Sequence, residues 1–479
     1  MIVVSIDSIE QELNHAFDVL LSEHSDASRW VVSLSGGLDS SVLLHALLRW
    51  KSESKLSVHT TDTSYQNESS IPPISALHIN HQLSEESIAW ADECVARCAE
   101  YDIDCVVEVV DVASESGLGL EGAARTARYA AYERVLSNSD VLLQGHHAND
   151  QFETVLLRLM RGAGLQGLAA IPMERSLTPN RDIRVYRPLL RLSQAQLHTY
   201  ARYHVVTWQD DPSNQDMQFD RNYLRHGLIP LFEARWPEVL DNVSNSVAWL
   251  AESTVLSHEV AHDDLRRLDV RHDRWGDDSV CLDALRALSV PRQKNALRVW
   301  SQHTFGVALN RHQLNQLVDE NFSKLLLSKS QMVNDTEQMI YECYARRMYV
   351  HRSNVSASFD EQQTVEIARA ERVFIDQVGE LCIDYDPIHF KEWASDKGTY
   401  SLTVQFRQGG ERAHPATRTH SQTLKKLFQE YQVPPWWRSK VPLMYYGSTL
   451  LLVGDVWVEH GVAEIFEIQC SWRRPCNKA

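Results

Sequence analysis

The chain has 479 residues, of which 43 % are hydrophobic and 23 % charged, and its formal net charge is −17. A chain of this length exceeds one hydrophobic core, so two or three domains are expected. The acidic balance argues against a protein that coats nucleic acid without selectivity, and no apolar run is long enough to cross a bilayer. We therefore expect a cytoplasmic protein without a membrane partner.

The first predicted elements are a helix, a strand and a second helix. Residues 1–26 have the pattern of an amphipathic helix with acidic residues, not of a signal peptide. Val31–Leu34 predicts a buried strand, and helical spacing resumes at Leu38 after a Ser-Gly-Gly turn. The glycines let backbone N–H groups approach a ligand, and the following helix adds the positive end of its dipole. This loop is therefore predicted to bind an anion, with Asp39 available to hold Mg²⁺.

The next part of the chain alternates predicted strands and helices. Lys51–Pro73 is polar and aperiodic, which predicts a surface insertion. Strands are predicted at Ile74–Ile79, Cys105–Val110 and Val141–Gly145, and helices at Ser84–Tyr101 (inner face Ile88, Cys94, Val95 and Cys98), Glu121–Leu136, Asp150–Arg161 and Ser193–Tyr203. This alternation indicates a doubly wound, mostly parallel α/β sheet, in which ligands bind at the carboxyl ends of the strands.

Two predicted strands end in polar side chains. The fourth strand is followed by Asp150 and Glu153, whose spacing of three lets both carboxylates face one cleft from a helix start. The alternative is that Asp150 caps the helix and Glu153 is its capping-box partner. The strand-end histidines could equally be core groups; they are His78, His81, His146 and His147.

Two basic segments stand out against the acidic background. The first contains Arg158, Arg161, Arg175, Arg181, Arg184, Arg187 and Arg191. The second contains Arg407, Arg412, Arg418, Lys425, Lys426, Arg438 and Lys440, interleaved with Phe406, Phe428, Tyr431, Trp436 and Trp437. Most charge clusters are solvated faces, but interleaved aromatic residues favour an RNA contact. The two tryptophans could stack on bases or belong to the core, and the sequence leaves both readings open.

The second half of the chain predicts two further domains. From Leu231 to about Leu327 the periodicity is helical, with helices at Val239–Leu268, Leu282–Leu288 and Gln293–His303 and a break at Pro291. Met339–His351 alternates like strands, and Ser353–Glu361 is polar like a linker. Mixed strand and helix signals follow from Arg372, as in a small α+β domain. We predict boundaries at 1–230 for the α/β domain, 231–352 for a mainly helical domain and 362–479 for an α+β domain.

Several longer motifs follow one another in a fixed order. They are SGGLDS (35–40), HINHQL (78–83), EGAARTARY (121–129), GHHANDQFET (145–154), RGAGLQGL (161–168), RNYLR (221–225), FRQGGER (406–412) and LKKLFQE (424–430). Together they resemble the tRNA(Ile)-lysidine synthetase family, and the first resembles the pyrophosphate loop of the N-type ATP pyrophosphatases. The family usually carries two aspartates where this chain has Asn149 and Asp150, so we place the metal or base role on Asp150.

The resemblance implies the ATP-dependent joining of L-lysine to C2 of the wobble cytidine of a CAU-anticodon tRNA(Ile), through an adenylated cytidine. It implies catalytic roles for Asp39, Asp150, Glu153 and Arg125, of which the last two would position lysine. Asp39 and Asp150 would hold Mg²⁺. ATP would be bound by Ser35, Gly36, Gly37, Leu38, Asp39, Ser40 and His78. The domain 231–352 would bind the substrate, and the domain 362–479 would bind the tRNA through Arg407, Arg412, Lys425, Lys426 and Arg438. A homodimer is left open.

Two alternatives remain at this point. A tRNA 2-thiolation enzyme would share the loop, but it would normally bring paired cysteines. The eight cysteines here are scattered without a Cys-x-x-Cys, which predicts reduced, metal-free thiols. A tRNA-binding protein with a decayed nucleotide site is the other alternative, and the intact loop with Asp150 argues against it.

Overall fold

The computed structural model describes residues 5–58, 71–82, 86–112, 119–178, 181–210, 216–318, 339–352, 364–395, 401–462, 465 and 467–474. The chain divides into two compact units, Met1–Val255 and Leu256–Ala479. The predicted linker Ser353–Glu361 lies wholly outside the described residues, as does much of the predicted insertion Lys51–Pro73. The three domain boundaries stay a prediction. None of the helices in the described ranges is long and apolar enough to span a membrane.

The first unit is built on a six-stranded sheet. Its strands are β1 Arg29–Ser33, β2 Ile74–Asn80, β3 Cys105–Val109, β4 Asp140–Leu143, β5 Glu174–Ser176 and β6 Arg184–Tyr186. Their order in the sheet is β3-β2-β1-β4-β6-β5. Its helices are α1 Ile6–His24, α2 Leu38–Val58, α3 Ser87–Glu100, α4 Gly119–Val135, α5 Ala148–Met160, α6 Leu165–Leu168, α7 Gln194–Tyr203, α8 Asp220–Tyr223, α9 Ile229–Arg235 and α10 Val239–Arg267, which continues past Val255. All neighbouring strands are parallel except β5 and β6.

Strand β1 shows why helices cover both faces of this sheet. Its alternate residues Trp30 and Val32 belong to a core shared with α1, α2 and α7, whereas Val31 belongs to a core with Tyr132 of α4. A strand that is buried on both faces has a nearly continuous run of apolar residues, and β1 has such a sequence. The chain proceeds outward from β1 to β3 and then returns to β4 on the other side of β1. The order of the strands therefore reverses between β1 and β4, where ligands bind in such sheets. The predicted doubly wound α/β class is confirmed.

Two local predictions in this unit are wrong. Helix α3 buries Cys94 and Cys98, but Ile88 and Val95 are 70 % and 40 % exposed, because only a narrow stripe of this helix meets the sheet. Helix α2 continues to Val58, into the stretch predicted as an insertion. Its polar sequence there lacks an apolar stripe, so the periodicity gave no sign of helix.

The second unit contains an antiparallel four-stranded sheet, and the predicted alternation at Met339–His351 is confirmed by two of its strands. Its strands are β7 Arg271–His272, β8 Asp278–Cys281, β9 Met339–Tyr344 and β10 Arg347–Arg352, in the order β7-β8-β10-β9. The prediction of helix from Leu231 to Leu327 is wrong at β7 and β8, which are too short to show a period of two. The adjoining helices are α11 Leu282–Ala287, α12 Val290–Phe305 and α13 Arg311–Val318. Pro291 lies in the first turn of α12, where proline is tolerated, rather than breaking a helix.

The rest of the second unit is a small α+β assembly, as predicted. Its strands are β11 Val365–Glu366, β12 Arg372–Ile375, β13 Gly379–Asp384, β14 Leu402–Gln405, β15 Arg412–Ala413, β16 Gln422–Thr423, β17 Leu443–Tyr446, β18 Thr449–Val453, β19 Trp457–Val458 and β20 Gln469–Arg473. Its helices are α14 Pro387–Ser395 and α15 Leu424–Glu430. One core cluster includes Trp275, Trp437 and Trp472.

Candidate active site

The loop between β1 and α2 has the geometry of an anion site. Gly36 has a φ of +87°, which an L side chain rarely adopts, and its carbonyl accepts a hydrogen bond from the Gln209 backbone N–H at 3.0 Å. The backbone N–H of Ser35 donates to Ser40 Oγ at 3.1 Å, and Ser40 Oγ donates to the Gly37 carbonyl at 3.2 Å. The serines therefore brace the loop. The first amides of α2 have no partner within the helix and remain available to an anion.

Gly145 brings the end of β4 against the first turn of α2. A Cβ atom at Gly145 would lie 3.1 Å from the carbonyl carbon of Asp39 and 3.2 Å from the backbone nitrogen of Ser40. Real Cβ atoms rarely come so close to backbone, so this approach requires glycine. The residues that follow Gly145 are consequently placed beside Asp39.

His147 lies between the two predicted metal carboxylates. Its Nε2 is 3.5 Å from Asp39 Oδ2 and 3.6 Å from Asp150 Oδ2, and its side chain is fully buried. Burial disfavours the imidazolium, but Asp150 and then Asp39 outweigh it and raise the pKa of His147. Burial would raise the pKa of Asp150, yet His147, His146 and Arg225 hold it below its usual value. The structure thus brings Asp39 and Asp150 into one cluster around His147, and their metal and catalytic roles stay a prediction.

Asp150 and Glu153 share a partner that sequence reasoning missed. Arg225 Nη2 donates to Asp150 Oδ1 at 3.3 Å, while its Nε and Nη2 donate to the two oxygens of Glu153 at 2.6 and 3.1 Å. Arg225 lies in a π-helical turn, Leu224–Leu228, an irregularity found frequently at functional sites. The RNYLR motif was the available signal, because it ends on Arg225.

Asp150 takes part in capping the helix, although not as the N-cap residue that the alternative proposed, and Glu153 takes no part in it. The N-cap of α5 is His147, and Asp150 stands at the third helical position, where its Oδ2 accepts the His147 backbone N–H at 3.0 Å. Glu153 does not cap the helix; it is fully buried against Arg225. Burial raises the pKa of Glu153, and the guanidinium of Arg225 opposes that rise. Capping places Asp150 in the cluster, so the two roles coexist.

Two of the other strand-end histidines make hydrogen bonds near the site, and all three have lowered pKa values. His78 Nδ1 donates to the Leu34 carbonyl at 2.8 Å, so His78 fixes the residue that precedes the loop. Burial lowers the pKa of His78, which keeps its ring neutral. His146 Nδ1 accepts from Arg187 Nε at 3.2 Å, and burial lowers the pKa of His146 to about 3. Burial also lowers the pKa of His81.

Asn149 braces a neighbouring helix. Its Oδ1 accepts the backbone N–H of Gln194 at 2.9 Å, at the first residue of α7, and its Nδ2 lies 3.5 Å from Glu233 Oε1. An amide serves this purpose as donor and acceptor at once. The contacts are consistent with placing the metal or base role on Asp150.

Arg125 lies on α4 at the wall of a cavity of about 570 Å³. Its guanidinium stacks 4.9 Å from the ring centre of Tyr129. Thr154 and Arg221, which also line this cavity, adjoin the buried Glu153. The cavity therefore begins next to the carboxylate cluster.

The basic and aromatic residues of the second unit differ in their exposure to solvent. Trp436 and Trp437 both donate their indole N–H to Asp277 Oδ2 at 2.7 Å, and His351 stacks on Trp436 with ring centres 5.2 Å apart. Trp437 is therefore a core residue, and Trp436 is half-buried against the same core. Lys425 and Lys426, in contrast, are exposed on α15.

Two of the three predicted arginines of this segment are hydrogen-bonded to backbone carbonyls, and the third lies near a carboxylate. Arg438 Nε donates to the Val433 carbonyl at 2.9 Å, and Arg412 Nη2 donates to the Ser421 carbonyl at 3.0 Å. Arg407 Nε lies 4.0 Å from Glu411 Oε2. The structure places all five predicted tRNA-binding residues in the second unit, and their role stays a prediction.

Comparison with known proteins adds three family matches and close full-length relatives. The PP-loop domain family matches residues 7–232, the TilS substrate binding domain residues 281–323, and the TilS substrate C-terminal domain residues 402–472. The tRNA(Ile)-lysidine synthase of Pseudomonas putida is 34 % identical over 460 residues, which cover 94 % of this chain and 97 % of that protein. The tRNA(Ile)-lysidine synthase of Vibrio parahaemolyticus is 30 % identical over 476 residues, which cover 98 % of this chain and all of that protein.

Proposed function

Because the chain belongs to the tRNA(Ile)-lysidine synthase family, we propose that the cluster at the ends of β1 and β4 joins L-lysine to C2 of the wobble cytidine of a CAU-anticodon tRNA(Ile). The chain is an ATP-dependent ligase that forms lysidine in tRNA(Ile). The observation that carries the proposed chemistry is the convergence of Asp39, His147 and Asp150 beside the glycine loop.

The first step activates the cytidine. The C2 carbonyl oxygen is a poor leaving group, so it attacks the α-phosphate of ATP, and the bond from that phosphate to the pyrophosphate breaks. Developing charge on the pyrophosphate is stabilised by the loop amides near Gly36 and the first turn of α2. Ser40 keeps the loop in position, and His78 holds Leu34 behind it. Ser35, Gly37 and Leu38 complete the proposed ATP contacts.

Mg²⁺ is the proposed partner of Asp39 and Asp150. The buried atom Asp39 Oδ1 accepts no hydrogen bond within the part of the chain that the structure describes. Two carboxylates, with phosphate oxygens and water as further ligands, match the preference of Mg²⁺. When bound, the ion would neutralise phosphate charge during the attack at the α-phosphate.

The second step transfers lysine. The ε-amine is protonated at neutral pH, with an ordinary pKa of about 10.4, so it must lose a proton before it attacks C2. Asp150 is the proposed acceptor of that proton. The new bond joins the lysine nitrogen to C2, and the C2–oxygen bond breaks, so AMP leaves with the former carbonyl oxygen. Glu153 would favour a cationic amino acid and fix Arg225, and Arg125 would hold the lysine carboxylate.

The tRNA is proposed to use phosphate contacts in the second unit. Lys425 and Lys426 offer exposed ammonium groups, and Arg407, Arg412 and Arg438 lie on the same part of the chain. We also propose that the protein acts in the cytoplasm. A homodimer stays open.

The test is mass analysis of tRNA(Ile) incubated with the protein, ATP, Mg²⁺ and each amino acid in turn. We expect the wobble nucleoside to gain a lysine residue only with L-lysine, with AMP and pyrophosphate formed in equal amounts. A cytidine that gains sulfur, or that reacts equally with neutral amino acids, would contradict the proposal.

A further inference from the structure

Helix α3 packs directly against the glycine loop that is assigned to ATP. A Cβ atom at Gly36 would lie 3.2 Å from Cys94 Sγ, so the helix and the loop are in close contact. Burial raises the pKa of Cys94 to about 11, although Arg97 opposes that rise, so this thiol is neutral at neutral pH. Arg97 lies one helical turn after Cys94 and is buried. A buried guanidinium requires polar partners, and Arg97 has them at the base of the loop.

A closed ring of hydrogen bonds joins Arg97 to Gly36. Arg97 Nη1 donates to Ser41 Oγ at 2.6 Å, and Ser41 Oγ donates to the Gly36 carbonyl at 3.3 Å. The same carbonyl accepts the backbone N–H of Gln209 at 3.0 Å. The side-chain amide of Gln209 donates to Glu93, and Glu93 Oε1 accepts from Arg97 Nη2 at 3.1 Å. The ring therefore ties the loop, α3 and the segment after α7 to one another.

The ring fixes the direction of the next backbone amide, that of Gly37. The peptide bonds of the described residues are trans, and in a trans peptide the C=O and the N–H point to opposite sides. Because the ring holds the Gly36 carbonyl, the Gly37 N–H points away from the ring. It donates to Ser35 Oγ at 3.4 Å, a long hydrogen bond that an anion can replace.

The position of Arg97 suits an indirect role in binding ATP. Its Nη1 and Nη2 are engaged by Ser41 and Glu93, and its side chain is only 9 % exposed. A phosphate group would therefore have to break the ring before it reached the guanidinium. The charge of Arg97 strengthens its hydrogen bond to Ser41 and polarises the hydroxyl that donates to Gly36. The Gly36 carbonyl is consequently held more firmly than Ser41 alone would hold it.

We propose that Arg97 is a positioning residue for ATP: through Ser41 it holds the Gly36–Gly37 peptide so that its N–H faces the pyrophosphate part of the nucleotide. This inference rests on the proposed assignment of ATP to the glycine loop. Arg97 touches neither ATP nor the reacting atoms in this arrangement. Its loss should weaken the binding of ligands that contain pyrophosphate and leave the binding of lysine and tRNA unchanged.

The test measures the affinity of the full-length protein for ATP with Mg²⁺ and for pyrophosphate, without tRNA or lysine, and then the KM values of the complete reaction. Arg97→Met keeps the apolar stem but removes the guanidinium. Both phosphate ligands should then bind roughly 3- to 10-fold more weakly, which corresponds to one lost hydrogen bond. The KM values for lysine and tRNA(Ile) should not change. Arg97→Lys keeps a charged donor for Ser41 and should recover part of the affinity.

Two further variants separate positioning from stability. Ser41→Ala removes the bridge, and combining it with Arg97→Met should weaken binding no more than the larger single effect, because both changes break the same chain of contacts. The control is Arg29→Met. Arg29 Nη2 donates to Asp140 Oδ2 at 2.9 Å at the start of β1, the end of the strand away from the loop. This change should lower the Tm without altering the affinity for ATP or pyrophosphate.

Three outcomes would overturn the role of Arg97. Unchanged affinity for both phosphate ligands in Arg97→Met, with a lower Tm, would show that Arg97 only packs α3. Fully additive effects of Arg97→Met and Ser41→Ala would show that Arg97 does not act through Ser41. If Arg97→Met does not fold, wild-type affinity in Ser41→Ala would contradict the role. If the phosphate ligands bind more weakly as expected but the wild-type protein forms no lysidine, the positioning role stands and the proposed function fails.

Discussion

The two groups of functional residues predicted from the sequence are held in different ways. In the first unit, Asp39 and Asp150 converge on His147 although they are far apart in the sequence. In the second unit, the aromatic residues interleaved with basic ones are turned inward, and Trp436 and Trp437 bind Asp277. A parallel sheet gathers its strand ends at one edge, so residues at those ends meet. An antiparallel sheet imposes no such rule, and composition alone did not show which side chains reach solvent.

The largest expected effect tests the first unit. Asp39→Asn removes a negative charge at the loop while keeping its volume, so pyrophosphate release should lose stabilisation. AMP formation should fall by at least about 10²-fold, as when one preorganised stabilising group is lost, while tRNA affinity is retained. The exposed Asp92→Asn on α3 is the control for the same chemical change. AMP formation at the wild-type rate would remove Asp39 from the mechanism.

The next effect separates lysine recognition from ATP chemistry. Glu153→Gln keeps the shape and an acceptor for Arg225 but removes the buried charge that favours a cationic amino acid. We expect the loss of this negative charge to weaken the attraction of the cluster for the lysine ammonium by about 1.5–3 kcal/mol, which is a roughly 10- to 150-fold higher KM for lysine. The KM for ATP should hardly change. If ATP binding is lost while the lysine KM is constant, Glu153 belongs to the nucleotide site.

A smaller effect tests the second unit. Lys425→Gln combined with Lys426→Gln should weaken tRNA binding and reduce the salt slope by roughly 1.4–1.8, because two phosphate contacts are removed. Trp436→Phe should leave the salt slope unchanged, because the indole is held by Asp277. Normal tRNA binding by the Lys425→Gln, Lys426→Gln variant, together with weakened binding by Trp436→Phe, would contradict the difference drawn between the two units.

The last prediction concerns how the stability of the packing between His351 and Trp436 depends on pH, and it has the smallest expected effect on activity. Burial lowers the pKa of His351 to about 4, and Lys440 adds to this, so folding requires the neutral ring. The folded pKa is below the unfolded one, so stability is lost as the pH falls from about 6.5 to about 4, by up to about 3 kcal/mol. His351→Phe should reduce this loss, read from tryptophan fluorescence during unfolding. An identical pH dependence in the variant would show that His351 is accessible to solvent.

The sequence predicted the α/β sheet and its carboxylates because both follow from strong local patterns. The apolar run before Ser35 and the polar residues after Leu143 each mark a strand end, and the sheet brings them together. Arg225 was not assigned a role, because nothing local indicates that a residue in an irregular helical turn reaches Glu153. The short strands β7 and β8 were missed because two to four residues do not establish a period.

The proposed mechanism is tested most directly by following the α-phosphate of ATP in the absence of lysine. With α-labelled ATP and Mg²⁺, we predict that label accumulates on the wobble cytidine of CAU-anticodon tRNA(Ile), because adenylation precedes lysine attack. Adding L-lysine should then release labelled AMP and leave lysidine. Label found on lysine instead of tRNA would show that the enzyme activates the amino acid, and would contradict the proposed order of chemistry at Asp39 and Asp150.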